Sequence, residues 1–93
     1  MNLNELPTQV QLAWDDPLSW QTVSTSVLAS GRHLLVERMH YYDGKEQNYY
    51  RWCDVEASRC SEQVFTCATE AEADRDRYLA QQYPSDHVVA VLI

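Results

Sequence analysis

One stretch, residues 63–93, limits what this chain can fold into more than any other, because it reads as strand, helix and strand in turn. QVFTCAT is β-prone, EAEADRDRYLAQQY is helix-forming, and PSDHVVAVLI ends in an unbroken apolar run. The expected helix covers about 70–82. Thr69 followed by Glu72 fits a capping box, in which each side chain satisfies the other residue's free amide. Glu70, Glu72, Asp74 and Asp76 crowd its first half, where the helix dipole favours acids. Pro84 cannot continue the helix. At ~100° per residue, Ala71, Tyr78 and Leu79 share one face with the stem of Arg75. The same geometry places Glu70 with Asp74 on one flank and Glu72 with Asp76 on the other.

The strand after it, His87 to Ile93, is apolar without alternation. That pattern predicts a strand covered on both faces. One helix covers one face, so the N-terminal segment, a second copy or a partner is needed for the other, and the N-terminal segment is the expected cover.

Ninety-three residues make one domain, 1–93. The chain is 45% hydrophobic and 23% charged, which is ordinary globular usage. Its longest apolar run is too short to cross a bilayer, and residues 1–14 lack the features of a secretory signal, so the expected compartment is the cytoplasm. The net charge of -7 should repel nucleic-acid phosphates and anionic membrane. It reads either as simple solubility or as an acidic surface that occupies a protein's nucleic-acid channel.

Cys53, Cys60 and Cys67 recur at seven-residue intervals. An odd count without a signal sequence argues against a disulfide framework, so the thiols are expected reduced and idle, with Cys53 and Cys67 as small buried strand residues. No CxxC pair exists, and His33, His40 and His87 have no ligand spacing, so no metal or cofactor is expected. No nucleotide loop, paired catalytic carboxylates or hydroxyl triad is spelled out.

Nearer the start, Thr8 to Trp14 alternates Val10, Leu12 and Trp14 against Gln9, Gln11 and Ala13, as a short edge strand or extended cover does. Leu18 to Ser30 carries opposed signals. Asp16, Pro17 and Gly31 frame a helix, but Thr22, Val23, Thr25 and Val27 are β-branched and favour a strand entering a turn at Ser30-Gly31. Arg32 to Tyr42 and Gln47 to Val55 are rich in Tyr, Val, Leu and Trp and flank Asp43-Gly44, a hairpin signal. Glu56 to Ser61 reads as a loop.

Neighbours on a strand point to opposite faces, so some of Tyr41, Tyr42, Tyr49, Tyr50 and Trp52 must be exposed. Cross-strand packing accounts for that at tenths to about 1 kcal/mol per pair. An interface anchor accounts for it too, since Tyr, Trp and Arg dominate binding hot spots. The candidate partner-binding residues are therefore Tyr42, Tyr49, Trp52, Arg38 and Arg51, with Glu70, Glu72, Asp74 and Asp76 of the acidic helix.

The expected fold is α+β: a curved antiparallel sheet of four to five strands, the 70–82 helix packed on one face, and a C-terminal strand. Three functions compete. The leading one is a small acidic, non-enzymatic protein-binding module that occupies the surface of a nucleic-acid-handling complex with a basic channel. A phage or mobile-element inhibitor of the anti-CRISPR kind is the concrete example, and it would work as monomer or homodimer without touching nucleic acid or membrane. The alternatives are a dimerising structural or regulatory subunit, and a small Cys/His metal-binding protein or enzyme.

Overall fold

A computed structural model describes residues 1–42 and 44–93. The fold is α+β, as expected: one antiparallel five-stranded sheet in the order β4-β3-β2-β1-β5, with one main helix against it. The strands are β1 (Gln21–Leu28), β2 (His33–Tyr42), β3 (Glu46–Asp54), β4 (Arg59–Cys60) and β5 (Val88–Leu92). The helices are α1 (Thr8–Leu12) and α2 (Ala68–Gln82).

Glycines turn the β1–β2 and β2–β3 hairpins where the sequence places them. Gly31 at φ 90° lets the Leu28 amide reach the Arg32 carbonyl at 2.8 Å. Gly44 sits at φ 73° between β2 and β3, while its neighbour in the turn signal, Asp43, lies outside the described residues. The β2–β3 register runs from Leu34 opposite Asp54 to Tyr42 opposite Glu46. It sets Leu34, Val36, Trp52 and Asp54 on one face with Ser24 and Ser26 of β1, and Glu37, Met39, Tyr49, Arg51 and Cys53 on the other.

Each face has its own cover. Helix α2 packs on β3 and β2 over the first face, with Ala71 fully buried and Tyr78 and Leu79 half-buried beside it. The N-terminal segment closes the other face through a core of Leu6, Val10, Trp20, Met39, Tyr49 and Val64. Burying a side chain of that size contributes about 1.5–3 kcal/mol, so this second layer matters in a small domain.

That segment is not the edge strand or extended cover that its alternation suggests. Thr8–Leu12 is a helical turn and a half, because Leu6, Val10 and Trp14 also recur at four-residue spacing. Val10 is buried and Leu12 is exposed, the reverse of what a strand with Val10, Leu12 and Trp14 on one side requires. Residues 17–30 satisfy both of their opposed signals. Asp16 caps one 3-10 turn, Pro17–Ser19, by accepting from the Leu18 amide at 3.0 Å, and β1 follows at once.

Three further expectations are corrected. Residues 63–69 form no strand; Gln63 and Phe65 make single bridges to Asn2 and Tyr50. The fifth strand is instead β4, inside the stretch that reads as a loop. The capping box is absent: α2 begins at Ala68, one residue ahead of Thr69, with Cys67 as N-cap and no side-chain cap bond. The thiols are not all reduced. Cys53 and Cys60 are joined in a disulfide, and Cys67 is exposed rather than buried in a strand. A four-residue turn, with Ser58 at φ 52°, folds β4 back on β3 and brings Cys60 directly opposite Cys53.

The last correction concerns β5. It is not central or doubly covered; among the described residues it lies at the sheet's edge, bonded to β1 alone. The N-terminal segment covers the β2–β3 end of its face and leaves β5 bare.

Candidate binding surface

The acids of α2 divide by what they hold. Asp74 accepts the Trp52 indole N–H at 2.8 Å and Arg77 at 3.0 Å. Asp76 accepts Arg75, whose guanidinium also reaches Ser26 Oγ at 3.2 Å. Glu70 is exposed and Glu72 half-buried in the first turns. Two of the four acids are thus engaged by arginines, and the flank pairing of Glu70 with Asp74 joins a surface group to a structural one.

Most of the candidate aromatic and arginine residues lie inside. Trp52 and Tyr49 are buried, Trp52 with the Tyr78 ring at 4.3 Å. The Arg51 guanidinium lies between the rings of Trp20 (4.0 Å) and Trp14 (4.6 Å), bonded to Glu37 at 3.0 Å and to the Trp14 carbonyl at 2.8 Å. Burial lowers its pKa, and Glu37 opposes that shift. These three residues belong to the packing of the domain. Tyr42 is 67% exposed, and Arg38 is half-buried with Gln21 Oε1 at 2.7 Å. Arg38 lines a shallow cleft of about 450 Å³ with Trp20, His40 and Asn48.

Asp54 was not singled out by any sequence pattern, yet it ties the sheet to α2. It is fully buried and accepts the hydroxyls of Tyr78 and Tyr83, both at 2.7 Å, and Arg32 at 3.3 Å. Burial alone would push its carboxyl up. The bonds from Tyr83, Tyr78, the Ala57 amide and Arg32 outweigh burial and hold it below the ordinary carboxylate range. Tyr78 is pushed up, by burial first and then by Tyr83 and Asp54. Among the described residues no buried side-chain nitrogen or oxygen lacks a hydrogen-bond partner. A network satisfied in this way has the character of packing rather than of a group held ready to react.

Two other groupings have chemistry of their own. A cleft of about 240 Å³ between α2 and β3–β4 is lined by Trp52, Arg59, Glu62, Asp74 and Arg77. Its cations face its own acids, Arg59 with Glu62 at 3.8 Å and Arg77 with Asp74 at 3.0 Å. The sulfurs of Cys53 and Cys60 and the Glu37 carboxylate lie within 4.8 Å of one another. The disulfide consumes both thiolates, and Glu37 is engaged by Arg51, so these donors are committed to one another.

The exposed apolar surface is concentrated on β5. Val88 is 40% exposed, Val89 58%, Val91 57% and Leu92 59%, with Ile93 beyond them. Opposite lie Thr25 to Leu92, Ser26 to Val91 and Val27 to Ala90, and a bulge then sets Leu28 against Val88. The start of the strand is held by Asp86, which accepts the hydroxyl and amide of Ser30, and by the Ala29 amide donating to the His87 carbonyl at 2.9 Å. The Ser30 hydroxyl bond, with help from the His87 and Ser30 amides, holds the Asp86 carboxyl low against a smaller opposing effect of burial. Among the described residues, the other edge of β5, away from β1, has no strand beside it. An unpaired edge lined by apolar side chains is a template for another strand. The signal for this surface was in the sequence, since six apolar residues in a row need cover. What the run could not say was whether the chain itself supplies that cover.

Comparison with protein-family models, with curated proteins and with solved structures finds no match.

Proposed function

We propose that this chain is a non-enzymatic protein-binding module that takes up a strand along the free edge of β5. The observation that carries this reading is the exposure of Val88, Val89, Val91 and Leu92 on a strand that, among the described residues, is bonded on one side only. Strand addition suits it physically: main-chain hydrogen bonds give affinity, and alternate side chains select the partner. The contact therefore moves from the acids and aromatics of the hairpin and helix to the opposite edge of the sheet.

The narrower form of the reading is a cytoplasmic inhibitor of a nucleic-acid-handling complex, of the kind phages and mobile elements encode. Its support is the net charge of -7, which would steer the molecule towards a basic surface. With Asp54 buried, Glu37 half-buried against Arg51, and Asp74 and Asp76 engaged by arginines, that steering would fall chiefly to exposed acids such as Glu70, with Glu72, Tyr42 and Arg38 the remaining candidate contacts.

The test compares two baits in an extract of the source cells: Val91→Lys, and the double variant Glu70→Lys with Glu72→Lys. Proteins retained by the parent chain should be lost from the Val91→Lys bait and kept, with weaker salt dependence, by the double variant. Loss confined to the double variant would place the contact on α2 and remove β5 from it.

A further inference from the structure

Resting on the reading of β5 as a binding edge, we infer that its occupant is a second copy of this chain, paired antiparallel through β5 about a two-fold axis.

Charge argues for this occupant first. Neither β1 (QTVSTSVL) nor residues 88–93 (VVAVLI) contain a charged side chain, although the whole chain carries -7. A basic segment laid along β5 would find no acid on the two strands to pair with. Arg75, which reaches Ser26 from α2, is itself bonded to Asp76. A second copy meets like with like, bringing together stretches without charged side chains from two acidic molecules.

The geometry of the strand argues for it next. An antiparallel edge is self-complementary under a two-fold axis, since each copy offers the same donors, acceptors and side chains. The bulge between the Val27 and Leu28 pairings confines the regular part of β5 to Ala90–Leu92. Centring the axis on Val91 sets each Val91 opposite its copy and each Ala90 opposite a Leu92. Side chains then stay face to face with no shift in register. Apolar side chains meet across the seam on both faces, because Val91 lies on the face of Ser26 and Leu92 on the face of Thr25. The product is one continuous ten-stranded sheet with no open β5 edge.

The contact is short, so the dimer should be modest, with a dissociation constant of about 10–100 µM. Two molecules of the same net charge repel, and salt screens that repulsion. The dimer should therefore tighten as ionic strength rises, opposite in sign to attachment of a basic partner.

Sedimentation or light-scattering mass of the full chain, at about 5 to about 300 µM, spans that range of affinity. It should be run at about 0.05 M and about 0.5 M salt. The expected result is a concentration-dependent dimer for the parent that strengthens in high salt. Val91→Lys and Val91→Glu should each be monomeric, and an equimolar mixture of the two should recover the dimer, since opposite charges then meet at the axis. Recovery on mixing shows that both variants are folded. A parent that stays monomeric throughout, or a dimer that both variants retain, overturns the inference, as does a mixture that stays monomeric. If the parent is monomeric but Val91→Lys still loses proteins that the parent retains from extract, β5 remains a binding edge and only its occupant is wrong.

Discussion

The Tyr83 hydroxyl donates to the Asp54 carboxylate at 2.7 Å, which ties the residue just past the end of α2 to the last residue of β3. Tyr78 makes the same bond from one turn earlier, and Arg32 reaches Asp54 while lying over the Tyr83 ring at 4.1 Å. One carboxylate thus fixes where the helix ends on the sheet.

Replacing Asp54 by Ala removes the acceptor of two hydroxyls and a guanidinium at once. The expected cost is about 2–4 kcal/mol of unfolding free energy, from half-buried donors left without their shared acceptor. The pH dependence follows in sign. The folded pKa of Asp54 is depressed. Its contribution is therefore complete above the unfolded value of about 3.9 and is lost as pH falls through the lower folded value. Glu56 and Asp86 shift in the same direction, so part of the acid limb remains without Asp54. Urea denaturation between neutral pH and strong acid should show a shallower fall for Asp54→Asn than for the parent. Equal slopes would mean that Asp54 is not linked to folding.

The Cys53–Cys60 bridge closes a loop with a sequence separation of 7. By loop-closure entropy it should contribute about 2–3 kcal/mol. Denaturation with and without a dithiol reductant should differ by that amount in the parent. The variant with both cysteines changed to Ala should show no response to reductant. A parent indifferent to reductant under conditions where thiol titration shows the bridge open would contradict this.

Charge reversal on α2 should separate surface from structure. Glu70→Lys changes an exposed group and should shift stability by roughly 1 kcal/mol or less, the scale of an unfavourable helix-dipole contact. Asp74→Lys deprives the buried Trp52 indole of its acceptor and should cost about 1–3 kcal/mol with a change in tryptophan emission. Thermal unfolding followed by fluorescence reads both. Equal effects would show that Asp74 is no more structural than Glu70.

What could be read from the sequence and what could not have physical causes. The hairpins were legible because Gly31 and Gly44 mark turns that few other residues tolerate, and α2 because Pro84 stops it and Ala71, Tyr78 and Leu79 share a face. Residues 8–14 misled because their apolar positions fit periods of both two and about four, and only packing against Met39 and Tyr49 decides between them. Arg51 and Trp52 have the composition of a hot spot, but their surroundings come from Trp14 and Trp20 on one face and from Asp74 and Tyr78 on the other, contacts remote in sequence. The bridge was within reach, since a seven-residue spacing across a four-residue turn sets two cysteines opposite each other. The argument from an odd cysteine count hid it.

The place of β5 also sets an order of events for a growing chain. Hairpins β1–β2 and β2–β3 join residues close in sequence, whereas Thr25 must wait for Leu92. Local pairings close first because their loops cost less entropy. Until residues 88–92 have been synthesised, β1 is itself an open edge, with Thr25, Ser26 and Val27 unpaired on the side that β5 will occupy. During that interval a β5 from another molecule fits β1 as well as the chain's own does. Crowded synthesis on one message therefore favours exchange of this strand between neighbours, and dilution favours its return.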